Sequence, residues 1–192
     1  MSRWFWVRHG PTHARGFVGH SDLPADLSDA AALARLRDHL PDEALVVASD
    51  LRRASATADA IAGRRHRLPD DPDLREMNFG QWEGMDFNAI SARDPDLSRA
   101  FWSDPSSAAP PGGESWQELC ARVDRAVAAL SAAHPGRDIV VVAHMAVILS
   151  RIQQAAGISA AAALSFAIDN LSVSALEATG HGWRIRGVNH RP

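Results

Sequence analysis

Ile139-Val140-Val141-Val142-Ala143-His144 is the stretch that decides the fold. Five apolar residues, mostly β-branched, run without a polar alternate and end on a histidine. A strand wetted on one face alternates; a strand covered on both faces reads as an unbroken apolar run, the habit of parallel sheets flanked by helices. Two similar runs lie upstream, Trp4-Phe5-Trp6-Val7 and Leu45-Val46-Val47-Ala48. Helical patterns separate them. Ser28 is placed to cap a helix reaching Leu40, with Leu33, Leu36 and Leu40 on one face. A second helix is expected over Arg52–Ala62. A third starts at Ser115, where Ser115-Trp116-Gln117-Glu118 reads as a capping box, and runs to Ala133 with Leu119, Val123, Ala126, Val127 and Leu130 as its stripe. A fourth comes after Ala143 and continues through Ile148 and Ile152. Two alternating segments, 172–178 and 183–188, read as strands joined across Gly180-His181-Gly182. The pattern predicts a single α/β domain over residues 1–192, three-layered (α/β/α), with a mixed, mostly parallel sheet.

Composition narrows the chemistry. The chain has 192 residues, enough to bury a core without disulfide or metal staples. It contains no Lys, so all 20 basic side chains are arginines; a phosphate-loop lysine, a Schiff base and a lysine general base are excluded. It has no Tyr, and the single Cys120 forbids an internal disulfide or a CxxC site. A net charge of −3 argues against a nucleic-acid partner. There is no apolar stretch long enough for a membrane span, and the N-terminal apolar run is too short for a signal peptide, so the expectation is a cytoplasmic protein with no membrane partner. The basic run Arg64-Arg65-His66-Arg67 reads as a solvated helix end, and residues 104–113, rich in Pro and Gly, as a surface loop.

The residues just past the strand ends carry the chemistry. Arg8-His9-Gly10 comes after Val7, Ser49-Asp50-Leu51-Arg52-Arg53 after Ala48, and His144 after Ala143. In an open α/β sheet, ligands bind beyond the carboxyl ends of the strands. Arginine forks and helix N-termini collected there suit a phosphate. A neutral histidine among them suits nucleophilic or acid–base work. With no lysine and no carboxylate cluster for magnesium, phosphoryl transfer through a histidine, with no metal or other cofactor, is the economical reading. His9, His13 and His20 have no carboxylate or Cys partner at ligand spacing, so no metal site is expected. Trp82, Trp102 and Trp116 either line a substrate pocket or bury their rings.

Several segments, in order, resemble the histidine phosphatase superfamily, also called phosphoglycerate-mutase-like. Arg8-His9-Gly10-Pro11-Thr12 resembles its R-H-G-x-T signature. Gly19 with Asp22-Leu23-Pro24, the run from Ser49 to Ala54 with Thr57-Ala58, and Leu74-Arg75-Glu76 through Trp82-Glu83-Gly84 match further motifs. Pro111-Gly112-Gly113-Glu114-Ser115 and Val141-Val142-Ala143-His144 complete the set. The resemblance implies that His9 is the nucleophile of a phosphohistidine intermediate. It implies that Arg8, Arg53 and His144 bind the phosphoryl oxygens and stabilise charge, with Thr12 beside them, and that Glu76 protonates the leaving oxygen and then activates water. His9 has to attack while neutral, so one ring nitrogen is expected to donate to a backbone carbonyl. Glu76 is expected to have a raised pKa from the like charge of the phosphate. Arg52 and Arg53 point about 100° apart on a helix, so one of them faces the phosphate, and the motif picks Arg53. Glu83 is the rival of Glu76, and Glu114 is either functional or a loop residue. Arg15 stands where the family often has Asn; it either supplies a third phosphate-facing arginine or points to solvent. Asp50 replaces the usual Pro, and Met145-Ala146 replaces the usual glycines after the second histidine, which narrows the pocket there. The implied activity is hydrolysis of a small phosphomonoester, the implied partner a small phosphorylated metabolite. A resemblance to α-ribazole phosphatases, a mutase-type transfer and a non-catalytic phosphate-binding protein remain alternatives, and a homodimer stays open.

Overall fold

The computed structural model describes residues 2–192; Met1, the first residue of the expected domain, lies outside the described residues. β3 (Ile139–Ala143) is buried along its whole length. Its side chains divide between two cores. Ile139, Val141 and Ala143 join Trp4 and Trp6 of β1 (Ser2–Arg8) on one face. Val140 and Val142 join Phe5 and Val7 on the other. A strand with a core on each side has no position for a polar alternate, which is why its sequence shows none. β1 and β2 (Leu45–Ala48) both pair with β3 in parallel. β4 (Val173–Thr179) runs antiparallel to β1, and β5 (Gly182–His190) antiparallel to β4. The result is a five-stranded sheet of order β2-β3-β1-β4-β5 in which β4 opposes the common direction. The sheet is mixed and mostly parallel, as the sequence predicts.

Helices cover both faces. α1 (Ala30–His39) and α2 (Arg52–Ala62) bury Leu36, Ala54, Ala58 and Ile61 against the Phe5 face. α5 (Trp116–Ala133) and α6 (Met145–Ala156) bury Leu119, Val123, Val147 and Ile148 against the Trp4 face. The capping box at Ser115 and Glu118 is formed. The cap of α1 is Asp29, not Ser28: the Asp29 carboxylate accepts from the Ala32 amide at 2.9 Å. Ser28 is held one position outside by its own amide, which donates to Asp26. Two helices without a counterpart in the sequence pattern, α3 (Phe87–Arg93) and α4 (Pro95–Ser103), place Ile90 and Phe101 in the core with Trp82. A short α7 (Ala160–Ala163) precedes β4.

The basic run at 64–67 is a solvated helix end only in part: Arg64 and His66 are exposed, but Arg65 is not. The Arg65 side chain is buried and donates to the carbonyls of Pro41, Leu40, Arg37 and Ile61 at 2.7, 2.5, 2.8 and 3.2 Å. Carbonyls at helix ends lack intrahelical donors, and a guanidinium brings several in one plane. Arg65 therefore ties the end of α1 to the end of α2. Residues 104–113 form a loop, anchored where the Gln81 amide donates to Pro111 at 2.9 Å.

The topology brings one edge together. The His9 amide donates to Ala143 at 3.1 Å and the Ser49 amide to Val142 at 3.0 Å, so the ends of β1, β2 and β3 are flush. His9, α2 and the start of α6 with His144 all emerge there.

Candidate active site

His9 is 6% exposed, and its Nδ1 lies 2.6 Å from the carbonyl of Gly10. A carbonyl only accepts, so Nδ1 carries the proton and Nε2 keeps its lone pair. The Asn170 amide donates to the His9 carbonyl at 2.8 Å and the Gly10 amide donates to the Thr57 hydroxyl at 3.0 Å, which fixes the backbone on both sides of the ring. Burial, opposed by the Gly10 bond and aided by Arg53 and Arg8, pushes the His9 pKa down to about 3. The ring is neutral at any ordinary pH.

His144 has no exposed surface, and its ring centroid lies 5.0 Å from that of His9. Neither of its ring nitrogens has a hydrogen-bond partner among the described residues. Burial, and then the neighbouring His9 and arginines, hold its pKa well below the usual histidine value. Two neutral imidazoles thus stand side by side, as burial beside cations requires.

The arginines are separated as the helical geometry predicts. Arg53 is 1% exposed, while Arg52 faces solvent. Arg53 Nε donates to His9 Nε2 at 3.2 Å, and its terminal nitrogens donate to the carbonyls of Ser21 and Gly19 at 2.8 and 2.6 Å. Arg8 donates to the Ile168 carbonyl at 2.5 Å, and its Nε has no partner among the described residues. Burial lowers both arginine pKa values, but a guanidinium stays charged.

Glu76 is 7% exposed and reaches the same pocket. Its Oε1 accepts from the amides of Met77 and Ala146 at 2.9 and 3.1 Å. Its pKa is nevertheless raised, because burial outweighs those amides and both arginines. The sequence reading expects the raised value from like charge on a phosphate; the cause in the structure is burial, and it acts before any phosphate arrives.

Glu83 lies apart from this pocket and has another task. Its carboxylate accepts from the amides of Gly19 and His20 at 3.1 and 2.8 Å and from the Ser21 hydroxyl at 2.7 Å. Those bonds hold its pKa below the usual range against the opposing effect of burial. The same loop turns its carbonyls to Arg53. A Cβ at Gly19 would collide with the Met77 carbonyl and the Glu83 carboxylate, so this close approach requires glycine. Glu114 pairs with Arg122 at 2.6 Å, and Arg122 also donates to the carbonyls of Asp73, Arg75 and Glu76 at 2.9, 2.6 and 2.8 Å. That pair braces the segment carrying Glu76.

The pocket holds about 170 Å³ and is lined by Arg8, His9, Thr12, Arg53 and Glu76, with Met145 and Ala146 at the start of α6. Arg15 is exposed and is not among the lining residues. Loop residues 104–113 do not line it either. Trp82 and Trp116 are buried core residues, whereas Trp102 is half-buried behind Phe17. Among the described residues no group of His, Cys, Asp or Glu is placed to hold a metal ion; His13 pairs instead with Asp26 at 2.8 Å. No helix of the described residues is long and apolar enough to cross a membrane. Arg122 and Asn170 are site-supporting residues that the sequence motifs do not point to. Arg122 leaves a trace, a charged residue on the apolar stripe of α5 beside Leu119 and Val123; Asn170 leaves none.

A family model described as the histidine phosphatase superfamily (branch 1) matches residues 4–191. An adenosylcobalamin/alpha-ribazole phosphatase of Escherichia coli K12 is 31% identical over 198 residues, covering 100% of this chain and 97% of that one. A crystal structure of a putative alpha-ribazole-5'-P phosphatase from Escherichia coli K-12 superposes with a TM-score of 0.85 at 30% identity, covering 99% and 97% of the two chains. A mycobacterial glucosyl-3-phosphoglycerate phosphatase superposes with a TM-score of 0.85 at 27% identity over 100% of both chains.

Proposed function

The chain belongs to the histidine phosphatase superfamily, and from that premise we propose that it hydrolyses a small phosphomonoester, without a metal, through a phosphohistidine formed on His9. One observation carries the reading: a neutral His9 with its proton on Nδ1 shares a pocket with two arginines and a carboxyl whose pKa burial raises.

In the free site the Arg53 Nε–H occupies the His9 lone pair. A phosphate oxygen is the stronger acceptor for a cationic donor, so substrate binding draws that bond away and bares the nucleophile. His9 Nε2 then bonds to phosphorus as the bond from phosphorus to the leaving oxygen breaks. The Glu76 carboxyl delivers its proton to that oxygen, and the alcohol departs neutral. Arg8, Arg53 and an N–H of His144 hold the equatorial oxygens, where phosphoryl transfer spreads its charge. Thr12 borders the same space. In the second half-reaction Glu76, now a carboxylate, takes a proton from water as the water oxygen bonds to phosphorus and the P–N bond breaks. His9 returns neutral, and Glu76 returns protonated. The relatives named for alpha-ribazole and for glucosyl-3-phosphoglycerate support a phosphatase over a mutase or a silent binder, and they differ in the alcohol released.

The test is phosphate release from an aryl phosphate with chelator present, wild type beside His9→Ala, with acid-labile phosphate trapped on the protein. Turnover and trapping in wild type, and neither in His9→Ala, are expected. Turnover that survives His9→Ala rejects the nucleophile, and turnover lost to chelator and restored by metal rejects the metal-free route.

A further inference from the structure

Beyond the phosphoryl subsite the pocket changes character. Phe17, Val18, Phe79, Ala14 and Met145 form its remaining side-chain wall. The Phe17 and Phe79 rings lie 5.1 Å apart. Phe17 continues to Trp102 at 5.6 Å, and Trp102 to Phe87 at 5.9 Å, a residue that is 53% exposed. Met145 is also partly open, at 36%. An aromatic track therefore runs from the pocket to the surface, ending in large apolar groups that water does not reward. Among the described residues, no lining arginine remains beyond Arg8 and Arg53, both at the His9 end of the pocket.

Resting on the reaction proposed above, we infer that the Phe17–Phe79 wall, backed by Trp102, is the leaving-group subsite, and that it takes a phosphomonoester whose alcohol carries an uncharged aromatic group rather than a carboxylate. Rings stack or pack edge-on against such a wall. A carboxylate placed there loses its water and meets no cation in return.

Three primary alkyl phosphates separate the possibilities, because their leaving oxygens are alike and differences lie in the remote part: 2-(1-naphthyl)ethyl phosphate, glycerol 1-phosphate and 3-phosphoglycerate. Remote binding energy of this kind is read in kcat/KM. For the wild-type protein kcat/KM is expected to favour the naphthylethyl ester over glycerol 1-phosphate by at least about tenfold, the scale of a modest apolar contact, with 3-phosphoglycerate last. Phe17→Ala should collapse the naphthylethyl preference, and Trp102→Ala should lower it if Phe17→Ala fails to fold. Equal turnover of the three esters, or a preference for 3-phosphoglycerate, overturns the inference and leaves the proposed reaction standing. A naphthylethyl preference that survives both substitutions removes it from this wall. Absence of turnover and of phosphohistidine with every ester overturns the proposed reaction and the inference with it.

Discussion

Replacing Arg122 by Met removes a charge while keeping most of the side-chain volume. The Arg122 and Glu114 side chains are 11% and 14% exposed, so solvent screens their pairing little. The variant leaves the Glu114 carboxylate with the Asn78 amide, 2.8 Å away, as its remaining donor, and strips the carbonyls of Asp73, Arg75 and Glu76 of theirs. Breaking a buried pair by removing one partner costs about 3–5 kcal/mol, because a buried charge is left uncompensated. The freed carbonyls add to this only where water cannot replace the guanidinium. For a chain of this length that cost lowers Tm by roughly 6–20 °C. Urea unfolding gives the free energy and calorimetry the melting temperature. The double variant Arg122→Met, Glu114→Gln carries no unpaired charge and should regain a good part of the loss, since an amide oxygen still accepts from Asn78. A loss below about 1 kcal/mol in the single variant, or a double variant no more stable than the single one, refutes the bracing role. In the folded single variant, alkyl phosphates should lose more activity than aryl ones, because the segment set loose carries Glu76, the proposed acid.

The pH profile depends on the same carboxyl. Glu76 has to hold its proton to expel a poor leaving group, so the ratio of alkyl to aryl phosphate turnover should fall as pH rises through its raised pKa; taking the ratio cancels the ionisation of the phosphate, and the trend should vanish in Glu76→Gln. A ratio independent of pH in the wild type counts against Glu76 as the acid. Glu83→Gln should act differently: the Gly19–Ser21 loop loosens, Arg53 loses its seat, and kcat/KM drops roughly 10–100-fold for alkyl and aryl esters alike, the scale of a small misplacement of a positioning group. A changed alkyl-to-aryl ratio there, or an unchanged kcat/KM, contradicts the assignment.

The parts of the molecule that are legible in sequence are those governed by short-range rules. The unbroken run of β3 declares burial on two faces, the Ser115 capping box starts α5 where expected, and a helix placed at Arg52 separates Arg52 from Arg53. The other parts depend on what the chain meets in space. α3 and α4 are short, carry few apolar residues and owe their order to burying Ile90 and Phe101 beside Trp82. Arg65 looks solvated in sequence because nothing local shows that two helix ends converge on it. The candidate site divides likewise: His9, Arg8, Arg53 and His144 sit at strand ends, while Asn170, Arg122 and the Phe17 wall are brought in by the sheet order and by loop packing.

In the proposed reaction one carboxyl serves twice, and the electrostatics of the site favour that. Burial drives His9, His144 and Glu76 toward their neutral forms, and the two arginines keep their charge. To the extent that Glu76 holds its proton, the two arginines face the roughly two negative charges of a phosphomonoester above its second pKa of about 6. Substrate entry balances the arginines that were favouring ionised Glu76, and the dianion beside it disfavours ionisation further, so the proton stays on the acid until the leaving oxygen needs it. In the proposed second half-reaction the Glu76 carboxylate keeps only the Met77 and Ala146 amides as hydrogen-bond donors, and burial favours its regaining a proton from the attacking water. An alcohol bearing its own carboxylate would bring a third negative charge to a pocket balanced for two. The charge balance and the aromatic wall are separate reasons for the inferred preference against such a substrate.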